Sequence, residues 1–99
     1  MTVETIPWES HKYLNTPEDV AGYLDAVLEE GDPALLAHAL GVVARSEGMT
    51  QIARRSGLSR EALYRSLSAE GNPEFATIAK VLKSLGLRLG VKPIVDDAA

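Results

Sequence analysis

The sequence predicts an all-α domain of five helices followed by one short β-strand. Three observations lead there. Proline and glycine punctuate the chain at positions that suit helix starts and stops. Between them, apolar residues recur at three- and four-residue spacing. The interval from Gly48 to Gly71 is too short for long helices but holds two short ones.

The first helix starts at Thr16-Pro17-Glu18-Asp19. Thr16 reads as N-cap, Pro17 as the first helical residue and Asp19 as the partner in a variant capping box. Val20, Tyr23, Leu24, Val27 and Leu28 give it one apolar face, and Gly31 supplies a left-handed stop. Asp32-Pro33 repeats the start signal. Leu36, Leu40 and Val43 form the second stripe, flanked by Leu35, Ala39 and Val42, and Gly48 ends it. Thr50 is expected to cap a third helix over residues 51–56. After Gly57-Leu58, Ser59 is expected to cap a fourth from Arg60 to Ser68. Leu58 and Leu63 are spaced as a hydrophobic staple across that cap, and Glu61 suits the positive end of the helix dipole. Asn72-Pro73-Glu74 opens a fifth helix with Phe75, Ile78, Ala79, Leu82 and Leu85 inward, stopped by Gly86. Leu87, Leu89 and Val91 then alternate with Arg88, Gly90 and Lys92 as a strand does. Pro93 keeps that strand from being a central one. Residues 1–13 carry no periodicity, residues 14–92 read as a single domain, and residues 93–99 as a tail.

Length and composition bound the function. The chain has 99 residues and no cysteine, so a disulfide frame, a thiolate zinc site and a cysteine nucleophile are all excluded. A chain of this size buries roughly 60–70% of its unfolded surface, enough for a core without metal. At 45% apolar and 24% charged, the composition is that of a globular protein. No apolar run approaches the roughly 20 residues of a membrane span. The opening residues MTVETIPWES are neither basic nor apolar, so no signal peptide and a cytoplasmic location are expected.

The pair of short helices is the informative stretch. Two helices that cross steeply need a small residue at the contact, here Ala53. They also need a turn residue that tolerates positive φ, here Gly57. Ala53, Gly57, Leu58 and Ser59 in this spacing resemble the Xre/Cro-type helix-turn-helix of bacterial and phage repressors, over about residues 49–68. One position departs from that pattern. Ser66 stands where such motifs carry an aliphatic residue, and Leu67 is expected to take over its packing. A plain αα corner in a helical bundle is the competing reading.

If the motif binds a duplex, its second helix enters the major groove with its N-terminal residues nearest the bases. Leu63 and Leu67 point inward on a helical wheel, while Glu61, Tyr64 and Arg65 point away and Arg60 flanks them. Arg60, Glu61 and Arg65 are candidates for base reading, since Arg reaches guanine in bidentate fashion and Glu accepts from cytosine. The hydroxyls of Ser59 and Tyr64 suit phosphates or base edges. Thr50 and Gln51 are phosphate candidates. Glu61 and Arg65 also stand at i, i+4, where a simple ion pair would account for both.

The net charge of −4 conceals two opposed segments. Residues 1–32 hold eight acids and one base, whereas residues 33–95 hold nine bases and four acids. A basic body is the electrostatic footprint expected for a duplex. The acidic third would repel phosphates and suits a basic protein, or is simply a solvated face.

Several blocks taken together resemble the addiction-module antidote family, the small Xre-type antitoxins of type II toxin–antitoxin systems. They are Tyr13-Leu14, Pro17-Glu18-Asp19-Val20-Ala21, the run from Leu28 to Leu36, Ala44-Arg45-Ser46-Glu47-Gly48-Met49, the run from Gly57 to Tyr64, and the run from Gly71 to Thr77. The resemblance spans about residues 13–91. It implies a DNA-binding domain that represses its own operon, and a partner toxin, usually a small basic RNase of the RelE/HigB-like kind. No cofactor, metal or catalysis is implied. The resemblance does not locate the toxin surface. Trp8, Tyr13 and Tyr23, aromatic anchors among acidic residues, are the candidates.

A homodimer is expected, because two-fold operators with half-sites ~34 Å apart are matched by two-fold proteins. Leu87, Leu89 and Val91 are the dimerisation candidates, since a lone strand must pair with something: its copy, or a hairpin with residues 1–6. An enzyme is not expected. Two histidines, His11 and His38, and no phosphate-binding glycine loop offer little chemistry. A stand-alone phage-like repressor and a purely protein-binding helical module are the alternatives.

Overall fold

The computed structural model describes residues 16–68 and 70–95. The regular elements of the described residues are five helices: α1 (Pro17–Glu30), α2 (Pro33–Glu47), α3 (Met49–Ser56), α4 (Arg60–Ser66) and α5 (Phe75–Ser84). α1 packs on α2, while α3 sits centrally against α2, α4 and α5.

Local chemistry sets most of the boundaries. The Thr16 hydroxyl accepts from the Asp19 amide at 3.1 Å, and the Asp32 carboxylate accepts from the Ala34 amide at 3.0 Å, so each cap satisfies an orphan donor. Ser59 does the same for α4, accepting from the Ala62 amide at 3.0 Å. Thr50 does not cap α3. That helix begins one residue earlier, with Gly48 as N-cap and no side-chain bond, which puts Thr50 inside the first turn. α4 ends at Ser66, two residues before the expected Ser68, with Leu67 as its C-cap.

The core is one cluster in which Leu40, Ile52, Leu63, Leu67, Val43 and Val81 are the largest fully buried side chains. Leu67 does carry the packing that Ser66 cannot. α2 approaches the end of α4 so closely that a Cβ on Gly41 would collide with the Leu67 carbonyl oxygen. Two apolar assignments need correction. Phe75 is 69% exposed because it occupies the first turn of α5, and Val81 faces the core instead. Leu28 is 42% exposed in the last turn of α1.

The expected strand at Leu87–Val91 is absent: residues 87–95 carry no strand. A strand exists only as part of a ladder, and no described residue provides the other half. The Leu87 amide instead bonds the Leu82 carbonyl at 2.8 Å and closes the end of α5, leaving the following residues as an arm without regular structure. A hairpin with residues 1–6 would lie outside the described residues.

Candidate nucleic-acid interface

The turn between α3 and α4 is built by Ala53, Ser56, Gly57 and Leu58. Gly57 takes φ 79°, a left-handed conformation that a side chain would strain. Its amide closes α3 on the Ala53 carbonyl at 2.9 Å. The Ser56 hydroxyl accepts from the Leu58 amide at 3.2 Å and donates toward the Ala53 carbonyl at 3.5 Å. Ser56 stands immediately before the turn glycine, in the tight turn the sequence predicts over residues 56–59, where a serine hydroxyl bonds nearby backbone. Ala53 and Leu58 are half-buried against the core, as the crossing requires.

This turn sets α4 with Leu63 fully buried and Arg60, Glu61, Tyr64 and Arg65 in solvent. The structure therefore brings these four candidates onto the outer side of one short helix. The Arg60 guanidinium lies 5.9 Å from the centre of the Tyr64 ring, a cation–π distance one turn apart. Glu61 and Arg65 form no ion pair. Among the described residues the one ion pair joins Lys92 and Asp25 at 3.5 Å, far from this helix in sequence. The Arg65 head is thus not held by its neighbour.

Thr50 and Gln51 are exposed at the start of α3. Ser59 is exposed too, but its oxygen already accepts the Ala62 amide. Arg54 is exposed on α3 three residues beyond Gln51 and was overlooked as a candidate. The i, i+3 spacing from Gln51 was the signal that could have found it. Arg55 is spoken for, because it donates to the Ser84 carbonyl of α5 at 3.3 Å.

The other candidates lie elsewhere. Trp8 and Tyr13 fall outside the described residues. Tyr23 is half-buried against the core on α1. Around it the exposed side of α1 is acidic, with Glu18, Asp19, Asp25, Glu29 and Glu30 and no base. Leu87 is half-buried, Leu89 is exposed and Val91 is fully exposed along the arm. No described helix is long and apolar enough to cross a membrane.

Comparison with known proteins bears on this arrangement. Residues 4–93 match the model of a family described as "Probable addiction module antidote protein". The chain belongs to the addiction module antidote family. A relative from Haemophilus influenzae is 42% identical over 92 residues, covering 93% of this chain and 95% of that protein, and is described only as uncharacterized. No solved structure matches the chain. Membership in the antidote family supports an antitoxin role and implies a toxin partner.

Proposed function

We propose that this protein is the antitoxin of a type II toxin–antitoxin module. In this reading it neutralises a small basic RelE/HigB-like toxin by direct binding. As a homodimer it represses its own operon by binding double-stranded operator DNA in the cytoplasm. The antidote-family match over residues 4–93 is the observation that carries the reading, and it favours an antitoxin over a stand-alone repressor.

DNA binding is argued from α3 and α4. A short capped helix that exposes Arg60, Glu61, Tyr64 and Arg65 suits the major groove, and Thr50, Gln51 and Arg54 suit the flanking phosphates. The toxin is assigned to the acidic side of α1 with Trp8, Tyr13 and Tyr23. Opposite charge steers association and a few aromatic anchors hold it.

Co-expression with the product of the adjacent small open reading frame tests the toxin part. Growth rescue together with co-purification is the expected result, and a freely toxic or non-binding neighbour overturns it. Duplex binding at low and moderate salt tests the DNA part. Phosphate contacts require affinity to fall steeply as salt rises, and salt-independent or absent binding would remove DNA from the reading.

A further inference from the structure

The face away from the α3–α4 pair carries an open apolar groove of about 510 Å³ between α1, α2, α5 and the arm. Leu28, Leu36, Leu40, Ile78 and Leu82 lie along it, and Leu89 closes one side. No residue of α3 or α4 lines it. Val91, on the rim of the groove, is fully exposed. Immediately beyond it the same chain exposes a second apolar element, with Ile94 90% exposed and Val95 84%. Solvated aliphatic residues this close together, beside an open apolar groove, mark an unmet interface.

We infer that the groove is a homodimer interface, closed by the arm of a second copy, with Ile94 and Val95 of that copy seated against Leu28 and Leu36. The inference rests on the dimeric part of the proposed function and on neither its DNA part nor its toxin part.

Two features favour a second copy over another occupant. First, the groove and the apolar segment that would fill it belong to one sequence, so a two-fold arrangement satisfies both elements twice with the same contacts. Second, the walls are charged in opposite senses. The α1 wall presents Asp25, and the arm presents Arg88 and Lys92. Lys92 already reaches Asp25 at 3.5 Å within one chain, with both side chains mostly in solvent. About a two-fold axis, the acidic wall of each copy meets the basic arm of the other.

The interface also differs in kind from a strand ladder. No backbone pairing is needed, because aliphatic side chains fill an apolar groove. The interface draws on no residue of α3 or α4.

The chain has no cysteine, so single engineered thiols report on one contact each. The native mass comes first, by light scattering on the full chain. Twice the 10.6 kDa chain mass is expected at micromolar concentration. Next, Leu28→Cys and Ile94→Cys are made as separate variants, one bearing a tag. Both sites are exposed, and circular dichroism verifies that each variant folds. They are mixed under reducing conditions and then oxidised. A mixed disulfide of tagged and untagged chain, exceeding by at least tenfold the yield obtained in denaturant, supports the groove. A wild-type chain that remains monomeric overturns both this inference and the dimeric part of the proposed function. A dimeric wild type whose variants give no mixed disulfide overturns the groove alone and leaves the dimer to another surface. That second result is also what a toxin element, or residues 1–15 of the same chain, would produce by filling the groove.

Discussion

The Arg55 guanidinium donates to the backbone carbonyl of Ser84 at 3.3 Å, joining the end of α3 to the last residue of α5. The last carbonyls of a helix have no intrahelical donor and carry its negative dipole end, so a cation there is well placed. The Ser84 hydroxyl turns back on the Val81 carbonyl at 2.6 Å and leaves its own carbonyl to Arg55. Arg55→Ala should lower stability by about 0.5–1.5 kcal/mol. A urea midpoint unchanged from wild type would show the bond to be idle.

Leu67 is fully buried and its neighbour Ser66 only half-buried. Leu67→Ala should therefore cost about 2–5 kcal/mol, enough to unfold much of a marginal domain. Ser66→Ala should fall within about 0.5 kcal/mol of wild type. Chemical denaturation of the pair checks the assignment, and equal losses would contradict it.

Gly41 gives α2 its close approach to the end of α4. The obstacle to a Cβ is backbone oxygen, which cannot swing aside as a long side chain can. Gly41→Ala should destabilise by about 1–3 kcal/mol, although alanine is the better helix former. A variant as stable as wild type in thermal unfolding would mean that the two helices can separate freely.

Ser59 caps α4 and Thr50 caps nothing. Ser59→Ala should cost about 1 kcal/mol, a drop of about 4–8 °C in melting temperature for a domain of this size. Thr50→Ala should leave the melting temperature near wild type and weaken duplex binding if its hydroxyl meets phosphate. The reverse ranking of melting temperatures would restore Thr50 as the cap.

Arg65 has no ion-pair partner among the described residues, and the proposed duplex reading makes it a base contact. Arg65→Ala should cost about 1–3 kcal/mol at the operator and relax preference at one base pair. Equal losses on operator and random duplex, measured by titration at fixed salt, would reduce Arg65 to a phosphate contact.

Residues with local, one-sided chemistry made much of this structure legible in advance. Thr16, Asp32 and Ser59 cap within three residues of themselves, and Gly57 needs only its own φ. The inward turn of Leu63 and outward turn of Tyr64 follow from the helical period alone. The antidote family was legible as well, because its blocks are continuous in sequence.

Tertiary structure decided the rest, wherever the outcome depended on residues far apart in the chain. Phe75 has the right period to be buried, but as the first residue of α5 it stands 69% exposed. Leu87–Val91 has the alternation of a strand, but a ladder needs a neighbour, and the Leu82 carbonyl captures Leu87 first. The bond from Arg55 to Ser84 spans 29 positions, and no period or motif encodes it. The groove arises the same way, where α1, α2, α5 and the arm converge. Periodicity fixes which side of a helix is apolar; only packing fixes whether that side finds a partner within its own chain.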